Sequence, residues 1–349
     1  MIVHGDDSHV RVIGRTLRYQ DITYIDYSCS AIEFLFTGTR AEAVLWSDGS
    51  SFESIHRAVV AVFVDEEETP SKRLVLDKEE DTYLLYQGTK AKETKIRLVK
   101  YSEVAFGRVG IKGIITDGTK PVPTQAGIRK LEFIGDSITC GYGIEGVLNV
   151  DTFTTAQENP WEAYAATTAR ALNADYHLIS WSGIGIISNY TEEEIPNDSW
   201  LMPAMYPYTD KATDLALGNK ELSIWNNKAF IPDCIIINLG TNDQSYTKKI
   251  PDRVETFGRE YHKFIKNVRN LNPYSKILCT LGAMGQDLCA EIEHQVNLLT
   301  TEGIKDIYYM AFDDQLETDG IGADWHPTKI THNKMAARLV GKLEELMNW

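Results

Sequence analysis

Four short clusters carry residue types that together can perform acyl transfer. "FIGDSIT" holds Ser137, "SWSGIG" holds Gly183 and Gly185, "LGTND" holds Asn242, and "DWHP" holds Asp324 and His326. Acyl transfer needs a nucleophile, a base to take its proton, a group that orients the base, and donors for the developing oxyanion. Ser137 is the expected nucleophile. His326 is the base and then the acid that protonates the leaving alcohol, and Asp324, two residues before it, is the expected orienting acid. The oxyanion donors are the Ser137 backbone N–H, a glycine N–H from the second cluster and the Asn242 side-chain amide. Gly183 and Gly185 both remain candidates, and Gly183 is preferred because it directly follows Ser182 at a strand end.

These clusters need a scaffold that brings strand ends together. From residue 130 on, short apolar runs ("KLEFIGDS", "DYHLISWSG", "DCIIINLG", "SKILCTLGA", "DIYYMAF") alternate with segments of helical period, among them 159–173, 252–271 and 329–347. In the first of these Asn159 is the expected cap and Pro160 the first helical residue. Repeated strand–helix units predict a mainly parallel five-stranded sheet between helices, with its site at the carboxyl ends of the strands. All four clusters follow such runs.

Before about residue 116 the pattern differs. Runs such as "AIEFLF", "AEAVLWS", "AVVAVFV" and "KIRLVKYS", separated by "FTGT", "SDGSS" and "YQGTK", predict many short strands and a jelly-roll β-sandwich. The expected domains are a sandwich over 1–118, a Pro/Gly-containing linker over 119–127, and an α/β/α domain over 128–349.

Composition narrows the partners. A formal net charge of −15 over 349 residues argues against gripping phosphate backbones or anionic lipid, so neither nucleic acid nor a membrane is expected as a partner. Five scattered cysteines without CxxC spacing read as reduced thiols, not as a zinc site or a disulfide frame. The start, "MIVHGDDSHV", has neither the basic patch nor the apolar run of a secretory leader, and the expectation is a cytoplasmic protein. No cofactor or metal is called for by this chemistry, and the acidic runs at 65–68 and 192–194 lack calcium-loop spacing.

The four blocks, in this order and on strand ends, resemble those of the SGNH, or GDSL-type, hydrolase superfamily. The resemblance implies that Ser137, Gly183 or Gly185, Asn242 and His326 are its serine, glycine, asparagine and histidine. A β-sandwich ahead of that domain makes the whole chain most similar to carbohydrate esterase family 2. That likeness implies a serine esterase removing O-acetyl groups from acetylated oligo- or polysaccharides, with the 6-hydroxyl of hexopyranosides preferred. It also implies that some members work with a Ser–His pair alone; Asp324 stands in the acid position here, so a full triad is the expectation. The alternatives are a lipase- or thioesterase-like enzyme for longer acyl groups, or a carbohydrate-binding protein with a degenerate hydrolase domain.

Each residue also has a blander reading. Gly-Asp-Ser is a common turn tripeptide, and only its three companions lift Ser137 above that. Asp136 and Asp243 are expected to shape loops through hydrogen bonds, and His332 to face a helix surface. Among the aromatic residues of the loops (Tyr142, Tyr190, Trp200, Tyr206, Trp225, Trp325), substrate contact is expected of Tyr142 and Trp325, tied by sequence to catalytic blocks, and next of Trp225 and Tyr190. Most of the others are expected to pack the long 186–232 connection. The alternating sandwich strands leave room for self-association into a homo-oligomer.

Overall fold

The computed structural model describes residues 2–4 and 9–349; residues 1 and 5–8, part of the start read for a leader, lie outside the described residues. The chain forms two compact units. The first comprises residues 1–127 together with 154–158 and 209–223, and the second comprises 128–153, 159–208 and 224–349.

Ten strands of the first unit join one antiparallel network: β1 (Ile2–His4), β2 (Arg11–Ile13), β3 (Leu17–Tyr19), β4 (Ile22–Tyr24), β5 (Ala31–Ser47), β6 (Val59–Val64), β7 (Lys72–Val75), β8 (Glu80–Lys100), β9 (Val109–Thr116) and β10 (Val122–Pro123). The order is β3-β4-β9-β5-β8-β6-β7, with β1 on β9 and both β2 and β10 on β5. Inward-facing residues such as Phe34, Phe36, Leu45, Val60, Val62, Leu98, Ile111 and Ile114 form its apolar core.

Two sequence signals mean something else here. The glycines of "FTGT" and "YQGTK" do not end strands, because β5 and β8 run through them for 17 and 21 residues. The register instead slips between Gly38 and Arg40 and again between Ala41 and Glu42. These irregularities bend two long strands where separate short ones were expected. The 119–127 stretch is likewise no free linker. Val122 and Pro123 pair with Leu35 and Phe34, and Arg11 donates to the Thr124 hydroxyl and the Gln125 carbonyl. Residues 154–158 and 209–223 are held in this unit by hydroxyls: Thr155 donates to the Arg57 carbonyl and Thr213 reaches Asp26, each at 2.7 Å.

The second unit is a five-stranded parallel sheet of β11 (Arg129–Gly135), β12 (Ala174–Ser180), β13 (Cys234–Asn238), β14 (Lys276–Leu281) and β15 (Ile307–Ala311), in the order β12-β11-β13-β14-β15. Its central strand β13, Cys-Ile-Ile-Ile-Asn, is buried along its whole length, as a strand covered on both faces is. The helix Pro251–Leu271 buries Phe257, Tyr261, Phe264, Ile265 and Val268 on one stripe, and Lys329–Met347 buries Met335, Leu339 and Leu343. The helix expected from Pro160 begins instead at Tyr164, because Asn159 caps a preceding turn through Oδ1 and the Glu162 N–H.

Strand order reverses between β11 and β13, the switch point of an open parallel sheet, where diverging connections leave a crevice. Ser137 lies just past β11 and Asn242 just past β13. The five cysteines are free thiols, and no helix among the described residues is long and apolar enough to cross a membrane.

Candidate active site

β11 ends on Gly135, and Asp136 caps the short helix Ser137–Cys140 by accepting the Ile138 N–H at 3.0 Å. This places Ser137 at the first helical position, 5% exposed, with its side chain turned toward the neighbouring loops. Its Oγ lies 2.8 Å from His326 Nε2. The other ring nitrogen, Nδ1, lies 2.9 Å from the Asp324 carbonyl and 3.2 Å from the Ala323 carbonyl. Carbonyls only accept, so Nδ1 carries the proton and Nε2 presents its lone pair to the serine hydroxyl. Burial holds the imidazole down at about 4, against the pull of those two carbonyls, so it is neutral and able to accept a proton at neutral pH.

Asp324 departs from the triad expectation. Its carboxylate accepts the Tyr142 hydroxyl at 2.9 Å, while its backbone carbonyl, not its side chain, meets the histidine. The cause is local. Asp324 and Trp325 both adopt left-handed backbone (φ 50° and 65°), which turns the Asp324 side chain outward and its carbonyl inward. Two consecutive non-glycine residues in that region cost roughly 1–3 kcal/mol each. The loop is fixed by the Ala323 N–H on the Gly143 carbonyl, the Gly322 N–H on the His326 carbonyl, and Gln315 Nε2 on the Trp325 carbonyl at 2.6 Å.

Asn242 is 7% exposed at the start of the helix Thr241–Thr247, and its Nδ2 donates to the Ile184 carbonyl at 2.8 Å. The two glycines of the second block now separate. Gly183 is left-handed (φ 78°), and a Cβ built on it would meet nothing within 4 Å. The Gly185 N–H donates to Asn189 Oδ1, and a Cβ there would meet the Ser188 carbonyl at 1.9 Å and Asp243 Oδ2 at 2.8 Å. Gly185 is therefore a packing glycine whose N–H is already engaged by Asn189, and Gly183 keeps the open face.

Tyr142 lies beside the histidine. It stacks on Phe153 (centroids 3.6 Å apart, 9° between planes) and lies 4.5 Å from the His326 ring. Trp325 is 60% exposed beside the histidine. Tyr190, 57% exposed, gives its N–H to the Gly183 carbonyl and lines a cleft of about 200 Å³ with Gly183, Asn189, Asn197, Trp181 and Trp200. Trp181, which the sequence did not single out, stacks with Trp200 (6.0 Å, 10°); its one signal was an aromatic at the end of β12.

Three other residues lie elsewhere. Trp225 does not join the site, because its ring packs edge-on against His177 in the middle of β12. Tyr206 is buried, donating to Glu132 Oε1 at 2.6 Å and accepting from Asn272. His332 is not on a helix surface but fully buried; its Nδ1 accepts the Tyr164 N–H, and burial with the nearby His326 pushes it down to about 3.

With this geometry established, comparison with known proteins gives consistent matches. Residues 133–332 match the GDSL-like Lipase/Acylhydrolase family, and residues 12–124 match the Carbohydrate esterase 2 N-terminal domain. The chain is 33% identical over 332 residues to Cellulase/esterase CelE of Acetivibrio thermocellus, covering 93% of this chain and 38% of that protein. It thus spans well under half the length of that relative. It is 28% identical to an acetylxylan esterase / glucomannan deacetylase of Cellvibrio japonicus, covering 99% of this chain and 91% of the relative. The solved structure of a family two carbohydrate esterase from Clostridium thermocellum in complex with cellohexaose superposes with a TM-score of 0.85, at 31% identity, over 97% of this chain and 99% of that one.

Proposed function

The chain belongs to the GDSL-like lipase/acylhydrolase family and, across both units, to the family two carbohydrate esterases, and on that premise we propose that it is a serine esterase releasing acetate from acetylated saccharides. The observation that carries the reading is the 2.8 Å approach of Ser137 Oγ to a His326 Nε2 whose tautomer is set by backbone carbonyls.

The reaction follows from that pair. Ser137 attacks the ester carbonyl as its proton passes to Nε2. The oxyanion forms toward the Ser137 and Gly183 N–H groups and the Asn242 amide. The imidazolium is stabilised by the carbonyls of Ala323 and Asp324, whose dipoles do what a carboxylate does in a triad. Collapse then sends the proton from Nε2 to the sugar oxygen, and the alcohol leaves. Water, activated by the same histidine, hydrolyses the acetyl-serine. The leaving sugar must face Nε2, so Trp325, exposed beside the histidine in sequence, is its stacking surface, while Tyr142, stacked on Phe153 and against the imidazole, forms the wall next to it. The hexopyranose 6-hydroxyl is the proposed position, since a primary ester reaches a recessed serine with the ring held outside. Acetate release by wild type and Ser137→Ala from 6-O-acetyl glucose and from a 2- or 3-O-acetyl sugar tests this; release by wild type alone, fastest from the 6-position, is expected.

One observation favours a second reading. The cleft of about 200 Å³ beside Gly183, walled by Trp181, Trp200 and Tyr190, exceeds what an acetyl methyl fills. A nitrophenyl ester series separates the two: a maximum at acetate supports the sugar deacetylase, and one at butyrate or longer supports an enzyme for larger acyl groups.

A further inference from the structure

We infer that Asp243 is a positioning residue for the oxyanion site, its carboxylate gathering the N–H groups of Ile186, Ile187 and Ser188 and so fixing the turn that presents Gly183. The inference rests on the reading of Ser137, Gly183 and Asn242 given above.

The geometry is unusually complete for a buried acid. Asp243 Oδ1 accepts the N–H of Ile187 at 2.7 Å, of Ile186 at 3.0 Å and of Ser188 at 3.1 Å, and Oδ2 also lies 3.0 Å from the Ile186 N–H. The side chain is fully buried, and its partners are backbone N–H groups of a loop 55–57 residues away in sequence. A carboxylate taken out of water is costly unless its lone pairs are met, and three convergent donors meet them.

The adjacent residue acts on the same loop in the opposite sense. Asn242 donates to the Ile184 carbonyl, so neighbouring side chains at one helix start grip residues 184 and 186–188, one by giving a proton and one by accepting three. Gly183 lies at the entrance of that gripped turn, its own carbonyl tied to the Tyr190 N–H at 2.9 Å. Gly185 allows the wrap, since any Cβ would strike the Ser188 carbonyl and the carboxylate itself. An oxyanion donor works only when it is already in place, and displacement of about 1 Å can cost on the order of a hundredfold in rate. Asp243 touches no reacting atom; it acts through the loop.

Titration gives the device a signature. Burial pushes Asp243 up to about 6, against the N–H groups of residues 186–188. The other titratable groups that feel its charge are Asp136, itself pushed up to about 7 by burial, and Tyr261 of the helix Pro251–Leu271. Protonating Asp243 removes the negative charge that holds the three N–H groups and puts a hydroxyl where Oδ2 meets the Ile186 N–H, so turnover falls as pH drops through that range, well above the region near 4 where His326 takes up its proton.

The test compares wild type, Asp243→Asn and Gly185→Ala on one short-chain nitrophenyl ester between pH 4 and 9, with thermal unfolding followed in parallel. Asp243→Asn is expected to lower kcat about a hundredfold with KM within threefold, and to move the acid limb of kcat to lower pH. Gly185→Ala keeps the acid and disturbs the same loop, so it gives the same kcat-specific loss and carries the test if Asp243→Asn does not fold. Folded variants whose kcat stays within threefold of wild type, or whose loss lies wholly in KM, overturn the inference. Ser137→Ala run alongside separates the failures: activity surviving in that variant removes the underlying serine reading, whatever Asp243 does.

Discussion

The loop carrying His326, which meets Ser137, and the loop carrying Gly183, which follows β12, are held in opposite ways. The histidine loop is partly exposed, contains two consecutive left-handed residues, and orients its imidazole with main-chain carbonyls; its own acid, Asp324, turns away to Tyr142. The Gly183 loop is held by a fully buried acid, Asp243, that collects three main-chain N–H groups. Main chain serves as acceptor on one side and as donor on the other. The carboxylate expected beside the base thus turns away from it, while Asp243 binds residues 186–188. A carbonyl suffices for the histidine because the proton never leaves Nδ1, whereas several loop N–H groups need one concentrated acceptor to converge.

Substitutions can break or sharpen this contrast. The largest effect is expected where the two loops meet: Ser137→Ala and His326→Ala should each lower kcat by at least about 10⁴-fold while circular dichroism stays native. Asn242→Ala removes a donor and a loop grip together, and should cost roughly 10²–10³-fold in kcat. Asp324→Ala should cost less than about tenfold, because the groups touching Nδ1 are backbone; a triad acid, by contrast, is worth about 10⁴-fold. Tyr142→Phe, which removes the hydroxyl bound to Asp324, should match Asp324→Ala in size if the two act only by steadying the loop. Trp325→Ala should act on binding alone, raising KM for an acetylated sugar roughly threefold to tenfold with little change in kcat.

The parts legible in sequence were those set by local patterns. Ser137 and Asn242 were readable because each sits just past the point where an apolar strand run stops on small polar residues, His326 because it stands in a polar cluster just before the last helix, and the helix over 329–347 because its apolar stripe is regular. The direction of the Asp324 side chain was not readable, since it depends on left-handed backbone at an aspartate and a tryptophan with no glycine to announce it. The choice between Gly183 and Gly185 depends on what surrounds each, namely open space for one and the Ser188 carbonyl for the other. Trp225 looked like a sugar platform because the 186–232 connection has no period, so nothing in the sequence revealed that it lies against His177. In the first unit, Gly38 and Gly88 carry turn chemistry, yet both lie within long strands, β5 slipping in register just after Gly38.

The most direct measurement is kcat for Asp324→Asn and Asp243→Asn, side by side with wild type on one short-chain ester at pH 7.5, each variant confirmed folded. A loss of under about tenfold for Asp324→Asn and of about a hundredfold for Asp243→Asn is the predicted result. The reverse order, with Asp324→Asn the more damaged enzyme, would contradict it and return Asp324 to the role of triad acid.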